Sequence, residues 1–251
     1  MRLDIGRLRE GLTNWITQRF PLLRRMITLA QRNINLELPR SHSERYKSRA
    51  FWFGYPLYYL GGMIFVLFVI EAITGVLLGL YYVPSASYAP GTRGEPGDPS
   101  LAYQSVVFIM TKVPFGNILR GIHHWGAHLL IVATGLHMIR VFFTSAYRRP
   151  RELNWVLGVV LLLGSILLGF TGYLLPWDQL GFWASTIGLE ITKSIPLVGE
   201  VLANVGFGGT SLSARTLTRM YLFHWVLAGM GFLLAAIHIF VVWMQGIAEP
   251  H

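Results

Sequence analysis

Long apolar runs alternate along this chain with short polar or proline-rich breaks. Four runs exceed the roughly 20 residues needed to cross a bilayer: Phe53–Val83, Ile118–Phe143, Leu153–Leu175 and Tyr221–Gly246. A different pattern precedes them. Leu8, Leu12, Trp15, Ile16, Phe20, Leu23 and Ile27 recur at three- and four-residue steps, which is one stripe of a helix. This predicts an amphipathic helix over 7–31 lying along the membrane surface, the alternative being a solvated basic tail. The expected architecture is an all-α membrane protein. It has a basic N-terminal segment (1–50), a four-helix transmembrane bundle (51–247) and a short tail (248–251).

The connections differ in kind. The first contains Pro84, Pro90, Gly91, Gly94, Pro96, Gly97 and Pro99, so it is expected to be irregular and exposed. The second, Tyr147-Arg148-Arg149-Pro150-Arg151-Glu152, is short and basic. The third, from Pro176 to Arg219, carries Phe182-Trp183-Ala184 and Ile195-Pro196-Leu197-Val198. Its apolar content predicts short helices at the membrane surface.

Composition narrows the function. The 251 residues are 53% hydrophobic and 13% charged, about half the charge content of a soluble domain. Disorder and an ordinary soluble enzyme are excluded. The chain has no cysteine, which removes disulfides, thiolate-bound zinc, iron–sulfur clusters, thiol nucleophiles and thioether-linked haem. Any cofactor must hang on histidine or oxygen ligands. The net charge of +9 is concentrated at the start, where residues 1–50 hold eleven lysines and arginines against four acids. Basic flanks mark the cytoplasmic side and favour anionic lipid, not nucleic acid. Both termini are therefore expected inside, and no signal-peptide pattern is read in the leader.

Most of the histidines lie within the spans, where ionisable groups are costly and usually functional. His123 and His137 are fourteen apart in the second span, and His224 and His238 are fourteen apart in the fourth. Fourteen steps come to four turns less about 40°, so each pair shares one helix face, about 21 Å apart along the axis. Two such helices face to face place four imidazoles in two layers, each suited to bis-histidine ligation of a haem iron. The first and third spans repeat the number with glycine: Gly61 and Gly75, Gly158 and Gly172. Glycine is required where a Cβ would strike a flat macrocycle, and it also serves helix–helix packing. The pattern predicts two stacked haems inside the bundle.

Other polar residues fit around this arrangement. Arg120 and Arg140 flank His123 and His137 at three-residue spacing, as propionate contacts or as snorkelling helix-end cations. Glu71 is the one carboxylate deep in a span, four residues before Gly75. It serves either proton movement or a hydrogen bond. His128 is about 140° from His123 around the helix and is expected to make an interhelical hydrogen bond. His124 is expected at the outer surface.

Five runs stand out: Arg120-Gly-Ile-His123, Leu136-His137-Met-Ile-Arg140, Arg149-Pro150-Arg151-Glu152-Leu153, Thr171-Gly172-Tyr173-Leu174-Leu175-Pro176-Trp177-Asp178-Gln179-Leu180-Gly181-Phe182-Trp183-Ala184 and Thr216-Leu217-Thr218-Arg219 leading to His224 and His238. Together they resemble the cytochrome b family of quinol-oxidising bc-type complexes, in its split, b6-like form. The resemblance implies two non-covalent b-type haems: His123 and His224 on the iron nearer the positive side, His137 and His238 on the iron nearer the cytoplasm. It implies that Trp177, Asp178, Gln179, Gly181, Phe182, Trp183, Ala184 and Ile187 line part of a quinol-oxidation pocket. It further implies a quinone site on the cytoplasmic side and a Q-cycle coupled to proton translocation. The partners it implies are a subunit IV-like polypeptide carrying the later spans, a Rieske iron–sulfur protein and a cytochrome c-type or other acceptor, in a homodimeric complex. A dihaem membrane anchor for a dehydrogenase or hydrogenase is the alternative, although such a relay needs no quinol-oxidation segment.

The chain departs from the split form at several points. Tyr59 stands where that form anchors a further haem on cysteine. The fourth-span histidines are fourteen apart, where the split form usually has fifteen. Trp243 replaces a basic or imidazole side chain, Glu71 replaces glutamine, and the 85–99 segment is longer. The Pro-Glu-Trp-Tyr motif of the later spans is absent.

Overall fold

The computed structural model describes residues 59–88, 90–91 and 98–246. The surface helix expected over 7–31, residues 53–58 of the first span, residues 89 and 92–97 of the glycine- and proline-rich stretch and the 248–251 tail lie outside the described residues. Among the described residues there are seven helices: α1 (Leu60–Gly79), α2 (Leu101–Lys112), α3 (Gly116–Phe143), α4 (Glu152–Leu174), α5 (Gln179–Lys193), α6 (Gly199–Gly206) and α7 (Ala214–Gln245). Of these, α1, α3, α4 and α7 are long and apolar enough to cross a membrane.

The four long helices form a ring. α1 packs on α3 and α4 on α7, and the ring closes through α3–α4 and α1–α7. α3 and α7, the histidine-bearing helices, therefore stand on one diagonal, and the glycine-bearing α1 and α4 on the other. Most of the apolar surface of these helices points outward. Phe65, Leu129, Leu163 and Leu233 are all exposed, as expected of helices whose outer faces meet lipid or neighbouring subunits.

Local chemistry sets the helix ends. α7 begins at Ala214, seven residues before the apolar run becomes evident. Ser213 and Thr216 form a reciprocal capping box that satisfies orphan amides at the helix start. Thr216 Oγ1 also donates to the Phe207 carbonyl at 2.7 Å. Arg219 donates to the carbonyls of Asn204 and Val205, tying α6 to α7. Its polar neighbours dilute the hydropathy of a turn that is nonetheless helical. The third connection forms two short helices, α5 and α6. They fold beneath the ends of α4 and α7, where Leu174, Leu189, Ala203, Phe207 and Met220 make a buried apolar cluster.

The first connection differs from expectation. Its described beginning is irregular, but from Leu101 it forms the twelve-residue helix α2, capped by the Ser100 side chain accepting from the Tyr103 amide. The density of proline and glycine just upstream hides this cap in the sequence. At the opposite end of the bundle, Gln245 Nε2 donates to the Pro150 carbonyl at 2.7 Å, and Arg151 reaches the Gly246 carbonyl at 3.4 Å. These bonds join the α3–α4 turn to the end of α7.

Candidate functional site

α1 runs antiparallel to α3, and α4 to α7, so equal fourteen-residue spacings on neighbouring helices fall into register. The result is one glycine opposite each histidine. A Cβ at Gly75 would stand 3.1 Å from His123 Cε1, and one at Gly172 would stand 2.8 Å from His224 Cε1. At Gly61 it would lie 3.3 Å from His137 Cε1, and at Gly158 3.6 Å from His238 Cε1. The first two glycines share an upper layer beside α5 and α6; the other two share a lower layer beside the α3–α4 turn. The sequence argument had the missing Cβ clearing a macrocycle. The nearest atom here is the Cε1 corner of an imidazole, so the glycine leaves room for the edge of the histidine ring against the neighbouring helix.

In the upper layer the rings of His123 and His224 face across the diagonal with centroids 6.3 Å apart. Two metal–nitrogen bonds of about 2 Å, with about 1 Å more from each nitrogen to its ring centre, require about 6 Å. The pair fits a single iron held between the two imidazoles. His137 and His238 are likewise close enough to interact electrostatically across the lower layer. All four rings are half-buried. Among the described residues no cluster of three or more His, Cys, Asp or Glu could hold a metal.

The other ring nitrogen is held by groups that the sequence reading missed. His123 Nδ1 lies 3.1 Å from Thr74 Oγ1, and His224 Nδ1 lies 3.1 Å from Thr171 Oγ1. Both hydroxyls donate back along their own helices, Thr74 to the Ile70 carbonyl and Thr171 to the Leu167 carbonyl. Each is therefore free to accept from the imidazole N–H. His224 Nδ1 has a second acceptor, the Leu168 carbonyl, at 3.1 Å. An N–H at Nδ1 leaves Nε2 with the lone pair that a metal needs. The readable signal was the dipeptide Thr-Gly at 74–75 and 171–172, shared with 134–135, where nothing lies within 4 Å of the missing Cβ.

Glu71 belongs to this layer. It is 9% exposed, and its Oε2 lies 3.0 Å from His123 Nδ1. Its Oε1 is buried with no hydrogen-bond partner and lies against Gly126, where a Cβ would overlap it. Of the two roles left open for Glu71, the structure displays the polar contact.

Around the lower layer, Arg140 lies near His137 and Arg151. Burial, and then the Arg140 charge, push the Arg151 guanidinium below its usual value. Arg120 is half-buried within electrostatic reach of His124. Among the described residues His128 has no interhelical hydrogen bond of the kind expected of it. It is exposed and stacks edge-on with His124 of its own helix, centroids 4.9 Å apart. The cause is its position one turn from His124, on the outer face of α3.

The segment after α4 divides by role. Trp177 has φ of +50°, so the chain turns sharply before α5. Asp178 caps α5 by accepting from the Gly181 amide at 2.8 Å. Gly181 passes close to the Leu174 carbonyl, where a Cβ would lie 3.1 Å away, and Ala184 packs on the buried cluster. Phe182, Trp183 and Ile187 are exposed, and the Trp183 indole donates to Gln179 Oε1 at 3.2 Å. Asp178, Gly181 and Ala184 thus build the helix, while Phe182, Trp183 and Ile187 present an apolar face.

This geometry agrees with the comparison to known proteins. Residues 53–246 match the family described as Cytochrome b/b6/petB. The chain belongs to the cytochrome b/b6 family. It is 40% identical over 192 residues to cytochrome b6 of Heliomicrobium gestii, covering 76% of this chain and 84% of that one. It is 36% identical to the menaquinol:cytochrome c reductase cytochrome b subunit of Geobacillus thermodenitrificans, over 95% of this chain and 98% of the relative. Among solved structures it resembles a chain of a hyperthermophilic respiratory complex III, with TM-score 0.64 and 26% identity over 94% of this chain. It spans 56% of that chain's length. The protein is thus an all-α integral membrane cytochrome b.

Proposed function

We propose that the chain is the dihaem cytochrome b subunit of a quinol-oxidising bc-type complex. It would carry electrons between a quinol-oxidation site at one membrane face and a quinone site at the other, coupled to proton translocation. The observation that carries this reading is the one-to-one register of four glycines on α1 and α4 with four histidines on α3 and α7, with the upper pair at iron-bridging separation. His123 and His224 would hold one b-type haem, and His137 and His238 the other. Haem bound in each layer supplies a one-electron couple; the chain's own residues fix its ligands. Thr74 and Thr171 orient two of those ligands through Nδ1. Arg120 and Arg140 would face haem propionates at opposite ends of α3. Gly61, Gly75, Gly158 and Gly172 let the ligand rings pack against α1 and α4 without displacement.

The exposed face of Phe182, Trp183 and Ile187 on α5, next to the turn at Trp177, supports a role in the quinol-oxidation pocket. It stands beside the upper layer, as an electron entry point should. Proposed partners are the subunit IV-like spans, a Rieske iron–sulfur protein and a cytochrome c-type acceptor, in a homodimer with both termini of this chain toward the cytoplasm. The names of the relatives, which include menaquinol:cytochrome c reductase subunits, favour this reading over a dehydrogenase or hydrogenase anchor. A redox-titrated visible spectrum of the purified complex, with pyridine haemochromogen quantification per chain, tests it. Two b-type haems at distinct potentials are expected; one haem or none overturns the reading.

A further inference from the structure

Glu71 makes the four histidines inequivalent. Among the described residues, three of them face only neutral groups at Nδ1 or none: His224 has a threonine hydroxyl and a backbone carbonyl. His137 Nδ1 is buried without a partner, and His238 lies near the Asn154 carbonyl without a well-aligned bond to it. Among the described residues, His123 alone has a carboxylate oxygen near Nδ1, at 3.0 Å, in addition to its hydrogen bond with Thr74. That carboxylate is buried, and Gly126 on α3 provides the space for it because any Cβ there would overlap Oε1. The contact is therefore built from two helices: Glu71 projects from α1 and Gly126 opens α3 beneath it, one turn beyond His123.

We infer that Glu71 is a positioning residue that sets the redox potential of the upper-layer haem. The inference rests on the reading of His123 as an axial ligand. A negative charge 3.0 Å from Nδ1, whose hydrogen-bond partner is Thr74, polarises the ring and makes it a stronger electron donor through Nε2. A stronger donor favours the ferric over the ferrous iron, which lowers the potential. The couple involved is the transfer of one electron to or from the iron, with the Nδ1 proton remaining on His123. Among the described residues the lower layer has no such carboxylate, so Glu71 adds to the separation between the potentials of the two sites.

The test is potentiometry of the intact complex carrying Glu71→Gln. Thr74 still holds Nδ1 and the amide keeps the shape of the side chain, so the ring stays oriented while the carboxylate is lost. Two haems per chain are expected, with one midpoint raised by about 59 mV, a tenfold change for a one-electron couple. The second midpoint should stay in place. The ligand-field signature of the shifted haem in low-temperature electron paramagnetic resonance should change with it. Gly126→Ala provides an independent route, because its methyl displaces the end of the Glu71 side chain without altering its chemistry. It should shift the same haem in the same direction, and it decides the question if Glu71→Gln does not assemble.

Wild-type potentials in both variants, equal shifts of both haems, or loss of a haem in Glu71→Gln each overturn the inference. Haem counting on the unmutated complex and on His123→Ala separates this failure from a failure of the underlying reading. If the unmutated complex lacks two haems, or His123→Ala retains both, the ligand assignment falls. If the count is two, His123→Ala loses one and Glu71→Gln leaves both midpoints unmoved, only the role of Glu71 falls.

Discussion

In the upper layer, Nδ1 of His123 faces Thr74 and Glu71, and Nδ1 of His224 faces Thr171 and the Leu168 carbonyl. In the lower layer, Nδ1 of His137 is buried without a partner among the described residues. The difference traces to the residue before each glycine. Thr74 and Thr171 precede Gly75 and Gly172, whereas Leu60 and Leu157 precede Gly61 and Gly158. The helix places that side chain beside the ring which its glycine accommodates. A hydroxyl there holds the imidazole's tautomer and rotation; a leucine only packs. The clearances differ too, being 2.8 and 3.1 Å above and 3.3 and 3.6 Å below. The upper rings are thus pressed closer to α1 and α4 and anchored at Nδ1, while the lower rings have more room and fewer partners.

The largest expected effect comes from removing a ligand. His224→Leu should eliminate one haem per chain and leave the lower layer's haem, and His238→Leu should do the converse. Pyridine haemochromogen assays read both; loss of both haems from either variant would mean that the layers do not fold as separate sites.

Next come the glycines. Overpacking a close contact costs about 1–3 kcal/mol, so Gly172→Ala should lower thermal stability and haem retention most, followed by Gly75→Ala. Gly158→Ala meets His238 at ordinary contact distance and a flexible Met138 sulfur at 3.3 Å. It should be near neutral, because the gain in helix propensity of up to about 1 kcal/mol offsets the crowding. A thermal denaturation series on the four alanine variants checks the order, and a ranking unrelated to the clearances would break the comparison.

A smaller effect is expected from Thr171→Val. Losing one neutral hydrogen bond costs about 1 kcal/mol, softened here by the Leu168 carbonyl, and only the upper haem's spectrum should respond. The same change of about 1 kcal/mol is expected for Asp178→Ala, through loss of the α5 N-cap. That variant should lower stability without moving either haem's spectrum, which separates scaffold from ligand field.

The four spans, the two fourteen-residue pairs on each diagonal and the absence of cysteine were legible because they depend only on helical periodicity and residue chemistry. The start of α7 and the helix α2 were not. Both are initiated by local caps, at Ser213 and Ser100, whose polar surroundings carry no long apolar signal. The outward position of His128 was also hidden, since an angle of about 140° says where a side chain does not point, not what it meets.

Sequence alone thus determined which residue types share a face and at what depth, because the pitch of a helix converts spacing into geometry. It could not determine which glycine faces which histidine, which hydroxyl reaches Nδ1, or that Glu71 and Gly126 fit one another. Those pairings join residues on different helices, and only the antiparallel packing of α1 on α3 and of α4 on α7 sets their register.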